Sequence, residues 1–250
     1  MILYEFPFNE RIRTYLRLEH LFARFGQLVP RSEPVDHHFA LTTLFEIMDV
    51  GSRSELKSDV LKDLDRQKQL YNSYRGNPAI SEQALDQVIA QLDAHFEAIN
   101  EQVGKLSLPA QDSEFLSALR SRSSIPGGTC EFDLPGYHAW QHLSAERRRE
   151  DMLRWSASFV PLSQAIHSLM QMLRESSKFQ KMMAVAGQVQ QNLPQGRTFQ
   201  LLRLRIDPTL EAVPEISGNR LLVVIRMMRM QEGRLAPIAE DVPFEMSLCA

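Results

Sequence analysis

Hydrophobic residues change their spacing twice along this chain, and each change marks a different kind of element. In "ILYEFPF" (2–8), Ile2, Tyr4 and Phe6 alternate with Leu3 and Glu5 until Pro7, which is the pattern of a short strand. Asn9 is placed to cap a helix whose apolar face is Ile12, Tyr15, Leu16, Phe22 and Phe25. A second helical segment runs through "HHFALTTLFEIMDV", and a third follows Ser54 with Leu56, Val60, Leu64 and Tyr71 on one side. The fourth starts at Ser81 and keeps Leu85, Val88, Ile89, Leu92, Phe96 and Ile99 at helical spacing, the clearest amphipathic signal in the chain. Glu82, Asp86, Asp93, Glu97 and Glu101 make its outer face acidic, with no Lys or Arg between Arg75 and Lys105.

A short helix around "SEFLSALRSR" leads into "SSIPGGTCEFDLPGYHAW" (123–140). Pro126, Gly127 and Gly128 break helical geometry there, and Thr129, Cys130 and Phe132 around Glu131 predict a brief strand. Ser144 caps "AERRREDMLRWSASF", and Pro161 opens "LSQAIHSLMQMLRES" in its first turn. From Ala186 to Arg197 the sequence is polar and without period, so 186–196 is expected to be a mobile loop. The last quarter alternates: Leu202, Leu204 and Ile206 against Leu201, Arg203 and Arg205, then Leu221, Val223, Ile225 and Met227 against Arg220, Leu222, Val224, Arg226 and Met228. "VPFEMSLC" alternates likewise. Strands joined by turns rather than helices imply an antiparallel sheet, so the class is α+β, a mainly helical domain packed beside a smaller antiparallel β-sheet domain.

Bulk composition narrows the function. The chain has 250 residues, 44% hydrophobic and 24% charged, with a net charge of −3, so nothing pulls it globally toward nucleic acid or anionic membrane. No run reaches about 18 apolar residues, and "MILYEFPFNE" carries Glu5 where a secretory leader needs a basic start, so the expected location is the cytoplasm. Two cysteines, Cys130 and Cys249, are too few for a disulfide framework.

Catalytic chemistry finds little support. His138 and His142 are four apart, but Ala139 stands where a zinc-protease pattern needs Glu, so no metal is expected. Cys130 has no CxxC partner; an enzyme using Cys130 and His138 is the alternative to a binding protein. No phosphate-cradling or dinucleotide motif appears, and no cofactor is expected. What remains is arginine on strands. Arg203, Arg205, Arg220 and Arg226 interleave with Leu201, Leu222, Val224 and Met228, a cationic and apolar face suited to a short peptide with acidic and hydrophobic residues. Single-stranded nucleic acid fits less well, because the sheet lacks a row of aromatic residues for stacking.

Four segments carry a resemblance: "FPFNERIRTYLRLEHL" (6–21), "RSRSSIPGGTCEFDLPGYHAW" (120–140), "LLRLRID" (201–207) and "EISGNRLLVVIR" (215–226). Together they resemble the signature segments of the ZapD family of bacterial Z-ring-associated proteins. The resemblance implies a non-enzymatic cytoplasmic homodimer at the midcell division site, not inserted in the membrane, which binds the C-terminal tail of the tubulin-like protein FtsZ and cross-links its filaments. It implies a helical, dimerising domain over 8–122 and 134–185 and a tail-binding β domain over 1–7, 123–133 and 197–250. On that basis the FtsZ-binding residues are Arg17, Arg120, Arg122, His138, Arg203, Arg205, Arg220 and Arg226. Arg13 and Arg17 fall in the family's RT-aromatic-LR segment, Arg203 in its LLRL segment, and Arg226 closes the ISG strand. Leu222 stands where relatives carry a second basic residue, a loss for which Arg205 compensates. Surplus apolar residues in "FALTTLFEIM" make the helices the expected dimer surface, with Phe39 and Leu44 on its exposed row.

Overall fold

The structure, a computed structural model, describes residues 1–102 and 113–250. In chain order its elements are β1 (Ile2–Pro7), α1 (Glu10–Leu28), α2 (Pro34–Gly51), α3 (Leu56–Asn72), α4 (Glu82–Asn100), α5 (Ser113–Ser123), α6 (Pro135–Gln141), α7 (Ala145–Ser156), α8 (Val160–Glu175), β2 (Gln180–Ala184), β3 (Gln188–Asn192), β4 (Leu201–Ile206), β5 (Val213–Gly218), β6 (Leu222–Gln231), β7 (Arg234–Pro237) and β8 (Val242–Cys249). They form two compact units, one of residues 1–14 with 170–250 and one of residues 15–169, the division falling inside α1 and α8. The class is α+β.

Capping and burial explain the helices. Asn9 Oδ1 accepts from Ile12 N at 2.9 Å, Ser81 accepts from Ala84 N and Ser144 from Arg147 N, so these three helices begin where an oxygen satisfies an early N–H. α2 is the most enclosed, with Ala40, Leu41, Leu44, Phe45 and Ile47 all buried. Leu44, expected on an exposed row, is 0% accessible, whereas Phe39 on the same helix is 55% exposed. α3 packs along α4, and Tyr15 of α1 donates its hydroxyl to buried Asp63 of α3 at 3.0 Å.

One buried arginine ties the start of α2 to the α6–α7 connection. Arg148 Nε donates to His37 Nδ1 at 2.8 Å, Nη1 to the carbonyls of Gln141 and Leu143, and Nη2 to the carbonyl of Ser32. His37 Nε2 in turn donates to the Arg31 carbonyl at 2.7 Å. Since a guanidinium only donates and a carbonyl only accepts, His37 is fixed as its neutral Nε2–H tautomer. Burial pushes its pKa below the ordinary value.

The expected strand at Thr129–Phe132 does not form. Residues 124–133 are turns that belong to the helical unit, not to a sheet. Gly127 takes φ +71°, and a Cβ on Gly128 would fall 2.6 Å from the Arg122 carbonyl oxygen, so this Pro-Gly-Gly sequence folds back on α5 rather than extending.

In the other unit, β1, β4, β8 and β2 make one antiparallel sheet in that order, and β3, β6 and β5 a second, with β7 also pairing β6. The rows Leu202, Leu204 and Ile206 of β4, Val223, Ile225 and Met227 of β6, and Val242, Phe244 and Met246 of β8 fuse into one buried cluster. Residues 188–192, expected within a mobile loop, are instead β3, and residues 180–184, assigned to the helical domain, are β2. The two strands are joined through Ala186 (φ 47°) and Gly187 (φ 69°), a left-handed pair that matches strand twist. Gly187 is required twice over, because a Cβ there would lie 2.0 Å from the Ile238 carbonyl oxygen.

Candidate functional site

The arginines of the β unit divide between two outer faces. Arg203 and Arg205 alternate with the inward Leu202, Leu204 and Ile206, so both point out of the first sheet. Arg203 is not free there. Its Nε donates to Glu5 Oε1 at 3.1 Å, its Nη1 to the Arg174 carbonyl at 3.3 Å, and its guanidinium lies 4.9 Å from the Phe179 ring centroid. Arg205 stacks on the other part of that environment, 3.9 Å from the Phe179 centroid and 3.8 Å from Glu245. Both cations are therefore engaged within their own unit.

Arg226 points out of the second sheet, opposite the buried Val223, Ile225 and Met227. Its register neighbours are Gln188 on β3 and Glu215 on β5. The exposed side chain of Arg226 has no ion-pair or hydrogen-bond partner among the described residues, and neither has that of Arg220, which lies in the β5–β6 turn. The rows beside Arg226 are polar on one side, where Gln190, Val224 and Ser217 align, and apolar on the other, where Val213, Met228 and Pro237 align. Met230 and Leu235 extend the apolar end and stand 61% and 48% exposed. A guanidinium without a partner beside an open apolar strip is suited to an acidic and hydrophobic peptide. The cationic face read from the sequence as one surface is thus two, and the face around Arg226 is the one with a cation to spare.

Leu235 was missed because β7 is only four residues long. Its signal was present in Glu232 and Gly233, both at positive φ, which turn β6 back on itself.

The remaining candidates lie in the helical unit. Arg17 is exposed on α1; Arg13, four residues earlier and in the other unit, pairs with Glu10 of the same helix at 3.2 Å. Arg120 of α5 pairs with Asp49 of α2, and Arg122 lies 3.6 Å from Asp133. His138 is exposed on α6, its ring centroid 4.5 Å from that of His142. No hydrogen bond joins Cys130 to His138, and no group of three or more metal-ligating side chains occurs, among the described residues.

Residues 16–226 match the family model described as "ZapD: Cell division protein", a span that includes all eight of these candidate positions. The chain belongs to the ZapD family of cell division proteins. It is similar over its whole length to proteins named cell division protein ZapD: 48% identical to that of Ralstonia pickettii (strain 12J), 49% to that of Ralstonia nicotianae (strain ATCC BAA-1114 / GMI1000) and 46% to that of Cupriavidus pinatubonensis (strain JMP 134 / LMG 1197). Each alignment covers 100% of this chain and 99% of the relative. No helix among the described residues is long and apolar enough to cross a membrane. A role in cell division follows from ZapD family membership.

Proposed function

We propose that this member of the ZapD family acts without catalysis, binding the C-terminal tail of FtsZ and, as a homodimer in the cytoplasm at midcell, cross-linking FtsZ filaments to stabilise the Z-ring. The observation that carries the tail-binding step is Arg226, a partnerless guanidinium beside the apolar strip of Val213, Met228, Met230 and Leu235. In this reading the guanidinium holds a tail carboxylate while the strip buries its hydrophobic residues. Arg220, at the turn that opens β6, supplies a second positive charge along the same strand. Arg17, Arg120, Arg122 and His138 belong to the proposed site on the family resemblance; Arg120 and Arg122 would have to exchange their present carboxylate partners for those of the tail. Cross-linking further requires two tail sites per particle, which a dimer provides. Because a filament displays many tails, bivalent attachment raises apparent affinity by roughly 10² to 10⁴ without new contacts.

Co-sedimentation with polymerised FtsZ tests this reading. The chain should pellet with full-length filaments and increase their bundling, and it should stay in the supernatant when the filaments lack the C-terminal tail. Equal pelleting with tailless filaments would place recognition on the FtsZ globular domain instead.

A further inference from the structure

Strand β2 ends the first sheet: it pairs with β8 on one side, and no strand of the described chain lies along its other edge. The register pairs Gln180 with Met246, Met182 with Phe244 and Ala184 with Val242, and between them Lys181 with Glu245 and Met183 with Pro243. Odd-numbered residues of β8 turn their backbone groups toward β4, as the Cys249 carbonyl does in accepting from Gln200 N at 2.8 Å. Pro243, which has no N–H to offer, stands beyond the last residue of β8 paired to β4. Ladder bonds alternate in an antiparallel pair, so β2 bonds β8 through residues 180, 182 and 184. Lys181 and Met183 are left with N–H and C=O directed at the open edge.

The same alternation sends the side chains of Lys181 and Met183 to the sheet's outer face, with Pro243 and Glu245. There they border a groove of about 610 Å³ lined also by Met182, Leu210 and Phe244. Its carboxylates are occupied: Glu245 by Arg205 at 3.8 Å, and Asp207 by the N–H and hydroxyl of Thr209. Lys181 is exposed and has no partner among the described residues. The groove therefore combines an apolar floor, the Lys181 ammonium, the Met1 amino group near Asp207 and an open ladder of backbone donors and acceptors.

We propose that the β2 edge and this groove form a docking site for an extended peptide that carries an acidic residue two positions from a bulky apolar one. The peptide adds a strand beside β2. Its backbone completes the hydrogen bonds of Lys181 and Met183, its carboxylate lies across from Lys181, and its apolar side chain lies across from Met183 at the rim of the groove. The spacing of two is set by the chain itself, since Lys181 and Met183 are two apart on one face. This site lies on the sheet that does not contain Arg226, and it does not rest on the tail-binding reading.

The test uses the full chain and three blocked peptides in a Thr/Val background: one with Leu and Asp two apart, an isomer with them adjacent, and the first with Asn for Asp. Calorimetry should show the first binding about two- to fivefold more tightly than the others. Its addition should slow hydrogen exchange at the Lys181 and Met183 amides. Lys181→Glu should weaken it by about two- to fivefold. Met183→Pro, which removes an N–H that bonds nothing in the free chain, should weaken it similarly, while Arg226→Glu should leave it unchanged. Equal affinity for the three peptides, absence of binding, unaltered exchange at the two amides, or indifference to Lys181→Glu overturns the proposal. So does protection of those amides by raised protein concentration alone, which would assign the edge to a second copy.

Discussion

Arg203 and Glu5 are joined across the β4–β1 ladder, Nε to Oε1 at 3.1 Å, with only 13% and 15% of the two side chains exposed. The same carboxylate accepts from Arg174 Nε at 2.9 Å and Nη2 at 2.8 Å. One anion thus serves two guanidiniums, and Arg203 further anchors the Arg174 carbonyl. An arginine held in this way is part of the sheet's own fabric, and breaking such a withdrawn network leaves a charge uncompensated.

Reversing the two strand arginines should therefore have opposite signatures. Arg203→Glu places a second carboxylate beside Glu5 and is expected to destabilise the β unit by about 3 kcal/mol or more in urea unfolding. Arg226→Glu breaks no side-chain hydrogen bond or ion pair but faces Glu215 across the β5–β6 ladder, and is expected to cost no more than about 1 kcal/mol. Equal unfolding midpoints for the two variants would show that the Glu5 network contributes little.

Salt should separate the two kinds of contact at the Arg226 face. Between about 0.05 and 0.5 M the screening length falls from roughly 14 to 4 Å. Binding of an FtsZ tail peptide is expected to weaken over that range, with a smaller slope for Arg226→Glu. An affinity that stays flat would assign the binding to Val213, Met228, Met230 and Leu235 alone.

On α2, Phe39 and Leu44 differ in what a charge would do. Phe39→Asp falls on an exposed position and should give a folded monomer that binds isolated tail peptide but does not bundle filaments. Leu44→Asp would bury a carboxylate with no partner and should unfold the helical unit. Equilibrium sedimentation, circular dichroism and a bundling assay check both. A verified Phe39→Asp monomer that bundles as well as the parent would require two filament sites on one chain.

Acid should loosen the helical unit through its histidines. Burial lowers the pKa of His37, His38 and His95 in the folded chain. The unfolded chain therefore binds protons first. Stability from these groups is complete above their unfolded pKa, about 6.5, and is lost as pH falls from there through the depressed folded values. His37 carries a particular cost, because protonating Nδ1 expels the Arg148 Nε donor from the junction of α2 and α7. Unfolding midpoints measured from pH 8 to 5 should fall with acid, and His37→Gln should flatten the fall. A midpoint that rises below pH 6.5 would contradict this.

The helices were legible because cap and stripe agree. Asn9, Ser81 and Ser144 each precede an apolar repeat, and each accepts an early N–H. Strand β3 was hidden because "QVQQN" contributes only Val189 as an apolar residue: it is held by its ladder to β6 rather than by its own hydrophobic pattern. The Thr129–Phe132 alternation pointed to a strand but lay between turns set by Gly127 and Gly128, and no neighbouring strand pairs with it. Alternation correctly assigned Arg203, Arg205 and Arg226 to outward positions. It could not say which strands pair, and pairing sets Arg203 in an ion pair with Glu5, whereas Arg226 lies across from Glu215 without forming one. The two cations look alike in sequence and differ only in three dimensions.

The most direct measurement is a fluorescence-anisotropy titration of a labelled FtsZ C-terminal tail peptide with the parent chain and with Arg226→Glu, both verified as folded. Losing a charge-assisted contact of about 1.5 to 3 kcal/mol predicts an affinity roughly 10- to 150-fold weaker for the variant. Unchanged affinity in a folded Arg226→Glu chain would contradict the assignment of the tail to the Arg226 face.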